Sequence, residues 1–503
     1  MSNSRIHNTK RIIISSFLNQ LINLLLPFVN RTVIIKILGS EFTGLSGLFG
    51  SILQVLSLSE LGFSSIIIYY LYEPLAKNDT VAINRVMTCL RSIYHIVGSI
   101  IICGGVIFTP FLTYFIHGNY ADSINVYILF LIYLSNSGIS FFLFAYKEVL
   151  LIADQKRDVL TNIRSVTTVL VNCLQFLVLI FFKNYYLYTF LMIVGTVSTN
   201  IIVNKAVKKR YPYLKIASEK MPLYQSIKKD LTGLMINRIS NVSRNAFDNL
   251  IISSTLGLIA TAIYGNYYMI YSAVFSLSVV FSGSMQASVG NSIAVRNEEE
   301  NYENMLDFSL LYSWITGWCA VCMACLYQPF MKLWVGEELM LSELNMILFV
   351  VYFYFICMNH IRNQYLFGNA FWWQLKWAYL IESIGNLLLN IVLGKLFGIT
   401  GVLIATILTI FLCNYLMCNH VLFKNYFKKE SIWRFYRQQF YYLFSTVIGI
   451  TATYMVCRMI NNIIIIGVIC IILPNFIFFI LYLPCSRWKS SMIMVKRIVR
   501  RRS

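Results

Sequence analysis

Apolar residues fall in long unbroken runs along this chain rather than in alternation. Fourteen such runs stand out: 12–37, 44–71, 88–114, 124–146, 164–182, 186–204, 230–256, 262–288, 307–328, 345–368, 374–394, 398–420, 439–457 and 462–483. A helix that crosses a bilayer needs about twenty mostly apolar residues, whereas barrel strands alternate over about ten. The pattern therefore predicts an all-α polytopic membrane protein of about fourteen transmembrane helices. The first run follows Arg5, Lys10 and Arg11. It is too long for a signal-peptide core and lacks a small-residue cleavage site, so it is expected to stay as a span.

Polar residues interrupt these runs at helical spacing. In the first, Ser16, Asn19, Asn23, Pro27 and Asn30 recur every three or four residues and share one helix face, with Arg31 beside it. In the seventh, Asn237, Asn241, Arg244 and Asp248 do the same, with Arg238 alongside. A charge at mid-membrane costs about 2.5–3.5 kcal/mol on insertion scales, so its default meaning is functional. The alternative is an ion pair between Arg244 and Asp248, one turn apart, that neutralises itself. Glu60 in span 2 and Glu382 in span 11 are either protonatable coupling sites or counter-ions to an arginine. Arg362, near His360 in span 10, is expected in a cavity, as is Arg31; Arg91 is expected to snorkel to the headgroups. Arginines 31, 238, 244 and 362 outnumber the acids at comparable depth. A cationic interior suits an anionic cargo, and the planar guanidinium suits phosphate in particular.

Composition agrees with the runs. Of 503 residues 58% are hydrophobic and only 12% charged, about half the charged share of an ordinary soluble domain. That excludes a soluble enzyme, a disordered chain, a coiled coil and a collagen-like fibre. The 41 Lys and Arg against 21 Asp and Glu give a formal charge of +20. With both termini on the cytoplasmic side, the dense basic clusters at 205–229, 424–437 and 487–502 all lie inside. Lys36, Lys183, Lys332, Lys395 and Arg458 are then left outside, as the positive-inside rule requires. No basic stretch belongs to a soluble nucleic-acid-binding fold, so nucleic acid is not an expected partner.

The halves of the chain also resemble each other. A shift of 218 residues superposes span 1 on span 7: Asn19 meets Asn237, Asn23 meets Asn241, Leu38-Gly39 meets Leu256-Gly257, Thr43 meets Thr261 and Gly47 meets Gly265. A parallel repeat of this kind implies two lobes with a cavity between them. The expected organisation is an N-lobe over 1–204, a cytoplasmic basic linker over 205–229, a C-lobe over 230–420, and two extra helices with a basic tail over 421–503.

Enzyme chemistry has no visible carrier. There is no Walker A sequence and no HExxH. The 12 cysteines show neither metal nor disulfide spacing, and those inside apolar runs read as small hydrophobes. No catalytic residue, metal or cofactor is expected.

Several segments are similar to a known family. The stretch RTVIIKILGSEFTGLSGLFGSILQVLSLSELGFSSIIIYYLYEPLAKND (31–79) resembles the polysaccharide-unit flippases of bacterial O-antigen, capsule and exopolysaccharide clusters. So do FLFAYKEVLLIADQK (142–156), FDNLIISSTLGLIATAIYGNYYMI (247–270) and IESIGNLLLNIVLGKLFGITGVLIATILT (381–409). That family lies within the multidrug/oligosaccharidyl-lipid/polysaccharide (MOP) exporter superfamily. The resemblance implies a two-lobe transporter in the bacterial cytoplasmic membrane, working by alternating access. Its implied cargo is an oligosaccharide unit on undecaprenyl pyrophosphate, moved from the inner to the outer leaflet. It also implies membrane lipid, a polysaccharide polymerase and a chain-length regulator as partners, with H+ or Na+ as coupling ion. One departure is the loop after span 10, GNAFWWQLKW, where the family carries an acidic-basic cluster. On this reading Arg31, Arg238, Arg244, Arg362, Asn19, Asn23, Asn237 and Asn241 contact the cargo, while Asp248, Glu60 and Glu382 are coupling candidates. The rivals are a drug/cation exporter of the same fold, which would favour an acidic cavity, and a membrane-embedded polymerase, which would show a long external loop.

Overall fold

Every apolar run falls on helix wherever the chain is described, and no strand occurs among the described residues. The computed structural model describes residues 25–57, 63–117, 124–215, 236, 240, 242, 244, 246–485, 487–488 and 490–491. In chain order the helices are α1 (25–37), α2 (Ser40–Leu56), α3 (Phe63–Ala76), α4 (Thr80–Phe108), α5 (Val126–Phe142), α6 (Glu148–Ala153), α7 (Arg157–Phe182) and α8 (Tyr185–Arg210). They continue with α9 (246–256), α10 (Leu258–Val295), α11 (Glu298–Val335), α12 (Glu343–Gly368), α13 (Lys376–Phe397), α14 (Ile399–Thr409), α15 (Cys418–Asn425), α16 (Ile432–Cys457) and α17 (Ile463–Tyr482). Among the described residues, nine helical segments are long and apolar enough to cross a membrane. The number is ten when the bent pair Val126–Phe142 and Ala145–Ala153 counts as one span.

Three runs are less regular than the sequence suggests. The second is carried by α2 and α3, and residues 58–62 between them, including Glu60, lie outside the described residues. The fourth bends by 51° between α5 and the helical segment that includes α6. The twelfth passes from α14 into a π-helical stretch, Ile410–Met417, before α15. Other helices outrun their apolar cores. Run 307–328 is the middle of α11, whose 38 residues span roughly 57 Å at 1.5 Å per residue. Hydropathy marks only the part that matches hydrocarbon, whereas the helix begins at its cap, Asn297, whose side chain accepts from the Glu300 amide at 2.8 Å.

The repeat is visible in backbone chemistry. Gly39 ends α1 at φ 109° and Gly257 ends α9 at φ 89°. Each amide donates to the carbonyl five residues back, Gly39 to Ile34 at 3.1 Å and Gly257 to Ile252 at 3.2 Å. This is the six-to-one closure of a helix C-terminus, and a positive φ makes glycine the low-strain choice there. The same 218-residue shift carries Asp79, the cap of α4, onto Asn297, the cap of α11.

The chain divides into two compact units, Met1–Ala262 and Ile263–Ser503. In the first, α4 packs against α5, α7 against α8, and α5 against α8. Phe49 of α2 lies edge-on to Phe130 and Tyr133 of α5, with ring centroids 5.5 and 5.4 Å away. Close approach depends on small residues: a Cβ on Gly138 would lie 2.2 Å from the Ile102 Cδ1. In the second unit α11 is the hub, packed on α12, α16 and α17, and α13 pairs with α14 across Gly398 at φ 61°.

The α13–α14 hairpin supplies a direct test of this packing. A Cβ on Gly401 would sit 1.9 Å from the Leu393 carbonyl oxygen, a backbone atom that cannot step aside, whereas a Cβ on Gly290 meets nothing within 4 Å. Gly401→Ala is expected to destabilise the protein by at least about 1–3 kcal/mol. Gly290→Ala should be neutral or stabilising by about 0.5–1 kcal/mol. Thermal unfolding of the two purified variants in detergent checks the contrast, and equal melting temperatures would refute it.

Candidate functional site

The first unit holds Asn30, Arg31, Arg244 and Asp248 of the anticipated set. Positions 19, 23, 237, 238 and 241 lie outside the described residues. Asn30 is buried near the middle of α1 and its side-chain amide donates to Asn172 of α7. Arg31, half-buried, donates through Nη2 to the Ala262 carbonyl at 3.1 Å, with the phenols of Tyr185 and Tyr188 beside it. Tyr185 in turn shares a 2.9 Å hydrogen bond with Tyr133 and stacks on Tyr188 at 5.5 Å. Arg244 and Asp248 are both buried in the interior of the unit, at 6% and 0% exposure. Such figures exclude a lipid-facing position, as expected for intramembrane charge. Nearby, Asn249 donates to Ser51 at 3.0 Å and Ser253 to the Phe115 carbonyl at 2.7 Å, so α9 is tied on two sides.

A polar cavity of about 400 Å³ lies between α5, α7 and α8. Its wall carries Thr167, Asn172, Thr196, Thr199 and Asn200, together with the Arg164–Glu148 ion pair. Thr199 donates to Thr167 at 2.9 Å, and Asn200 to Ser140 at 3.2 Å. This cluster is not among the sites expected from the sequence. Its signal was present as Thr196, Asn200 and Asn204 at four-residue steps on one face of α8.

In the second unit the anticipated Arg362 and Glu382 belong to one buried network. Arg362, on α12, is 1% exposed. Its Nη1 donates to the backbone carbonyls of Asn414 and Tyr415 and to the Asn419 side chain at 3.3 Å; its Nη2 donates to Asn414 Oδ1 at 3.0 Å and Asn363 Oδ1 at 2.8 Å. The two carbonyls belong to the π-helical stretch, where the regular ladder of amide bonds is interrupted. Asn414 then passes the network on, donating to Glu382 at 3.3 Å. Along α13 the polar line continues at four-residue steps. Asn386 donates to Thr406 at 3.1 Å and Asn390 to Asn386 at 3.2 Å. Glu382 was singled out from the sequence, but Asn386 and Asn390 on the same stripe were not. His360 sits apart, 3.4 Å from Ser282 and against the Phe275 ring at 5.4 Å.

The cysteines depart from expectation. Their spacing suggests no shared site, yet the fold brings Cys325, Cys457 and Cys470 together, with sulfurs within 4.8 Å of one another. The three lie on three different helices and far apart in sequence, which a search for local spacing cannot detect.

No family model matches the sequence, and no curated protein does. Solved structures do match. The lipid II flippase MurJ in an inward closed conformation aligns over 93% of this chain and 98% of its own, with TM-score 0.71 and 15% identity. An inward-facing multidrug resistance MATE family transporter aligns over 80% and 94%, with TM-score 0.56 and 13% identity. A MOP superfamily transporter from Pyrococcus furiosus, described as having a binding pocket of reversed polarity, aligns over 80% and 93%, with TM-score 0.56 and 10% identity. The fold is shared with these solved transporters. It extends over nearly the full length of the lipid II flippase.

The Arg362 network carries its own test. Removing the guanidinium takes its donors away from the side-chain oxygens of Asn414 and Asn419 in a buried interior. Arg362→Ala is therefore expected to cost at least about 1–3 kcal/mol. Arg362→Lys should recover only part of that, since a point charge cannot serve the fork. Melting curves of the purified variants give the ranking. A fully stable Arg362→Ala protein would show that the network adds nothing.

Proposed function

We propose that this protein is a flippase that carries undecaprenyl-pyrophosphate-linked oligosaccharide units from the inner to the outer leaflet of the bacterial cytoplasmic membrane by alternating access. The observation that carries the proposal is the buried position of Arg244, with Arg31 half-buried, in a fold matched along nearly its whole length by a lipid II flippase. Buried guanidinium groups supply charge and paired donors for a pyrophosphate, while the polyprenyl tail stays in lipid. A drug/cation exporter of the same fold would place acids where these arginines stand.

In this scheme Arg31, Arg244 and Arg238 contact the pyrophosphate or acidic sugars, and Asn19, Asn23, Asn237 and Asn241 bind the sugars. Arg362, expected from the sequence to contact the cargo, is instead assigned to holding α12 to the π-helical stretch, where its donors are already engaged. Asp248, Glu60 and Glu382 are the groups through which H+ or Na+ coupling would run. A polymerase and a chain-length regulator would receive the delivered unit.

Two outcomes follow. Surface polysaccharide in a flippase-deficient strain, at matched expression, should be lost with Arg244→Ala and poorly restored by Arg244→Lys. It should stay lost when Asp248→Ala is added, because removing a whole ion pair relieves stranded charge but returns no ligand. An active double variant would reduce Arg244 to scaffolding. Separately, a single cysteine at position 215, in a cysteine-free background, should be shielded from an impermeant thiol reagent applied to intact cells. Labelling there from outside would invert the topology.

A further inference from the structure

We propose that Cys325, Cys457 and Cys470 form a binding site for one divalent thiophilic metal ion, of the zinc and cadmium class, that clamps α11, α16 and α17 together. All three thiols are buried, and their sulfurs lie within 4.8 Å of one another. A metal–sulfur bond of about 2.3 Å in a trigonal arrangement requires sulfurs about 4.0 Å apart. The site closes around an ion with shifts of less than an ångström.

The convergence has a local cause in each helix. Pro474 lacks an amide hydrogen, so the Cys470 carbonyl, four residues earlier, loses its helical donor. Trp318 Nε1 of α11 donates to that carbonyl at 2.8 Å, and Cys322 Sγ approaches it at 3.7 Å. These contacts fix the register of α17 on α11 and turn Cys470 toward Cys325, one turn beyond Cys322. Glycines let the helices close in: a Cβ on Gly317 would come within 2.8 Å of Thr446 Oγ1, and one on Gly449 within 2.9 Å of the Phe478 ring. Cys457 is the last residue of α16 and is separated from α17 by only five residues, 458–462.

The donor set selects the ion. Three sulfurs and no carboxylate or imidazole form the cluster, which favours soft metals over magnesium or calcium. On binding, three S–H bonds break, three sulfur–metal bonds form, and three protons leave to bulk water. A divalent ion then leaves one negative charge, against two for a monovalent ion. Affinity must therefore fall as pH drops.

The test uses the reduced full-length protein in detergent, with Cd2+ as spectroscopic probe and Zn2+ as competitor. One ion per chain is expected, with thiolate-to-metal charge-transfer absorption, displacement by Zn2+ and weaker binding at lower pH. Cys325→Ser, Cys457→Ser and Cys470→Ser should each weaken binding at least tenfold. Cys103→Ser and Cys173→Ser, at exposed positions, should leave it unchanged. The unsubstituted protein should also gain thermal stability with added metal, as any ligand specific to the native state confers. This readout survives even if a variant misfolds. Absence of binding, absence of that gain, binding that persists when all three are replaced, or a Cys457–Cys470 disulfide found by mass mapping of unreduced protein overturns the site. None of these measurements involves transport, so they are decided independently of the flippase proposal.

Discussion

Hydrocarbon offers no hydrogen bonds, so every polar group at membrane depth must find its partner inside the protein. That constraint organises both units. Where the helix passes through the π-helical stretch, Arg362 donates to the Asn414 and Tyr415 carbonyls. Where Pro474 removes a donor, Trp318 supplies one. Where α9 runs beside the α4 end, Ser253 bonds the Phe115 carbonyl. Each repair joins two helices that sequence separation would otherwise leave independent. The repairs thus act as specificity contacts in a medium where apolar packing alone hardly distinguishes one helix face from another.

The same accounting separates the intramembrane arginines. Arg362 spends its donors on backbone and amide oxygens of its own unit and is nearly sealed. Its charge is thereby spread into a fixed structural joint. Arg31 keeps partial exposure, beside a group of tyrosines whose hydroxyls tolerate either donor or acceptor partners. A guanidinium in that setting has a cheaper exchange of partners than one already saturated by carbonyls. A repeated fold can thus assign different work to residues of the same type.

Much of the architecture was legible because helical periodicity and hydrophobic length are local properties. The fourteen apolar runs, the polar faces containing Asn30, Arg244 and Asp248, and the shift that links Gly39 to Gly257 all depend on neighbours within a few turns. The bend after Phe142 and the π-helical stretch at Ile410–Met417 were not legible, since the apolar runs continue through them without a glycine or proline to mark a break. Nor was the Arg362–Asn414–Glu382 network, whose members come from three helices. The cysteine cluster failed for the same reason. Helical spacing reveals which residues share a face, but only packing decides which faces meet.

One consequence concerns the length of α10 and α11. Each has 38 residues, roughly 57 Å of helix against a hydrocarbon thickness of about 30 Å. The hairpin they form, turning at Arg296 and Asn297, therefore exceeds that thickness, and any tilt of the pair would displace its turn more than the residues packed at the other end. A spectroscopic label near that turn would amplify tilts that are too slight to register among the packed residues below it.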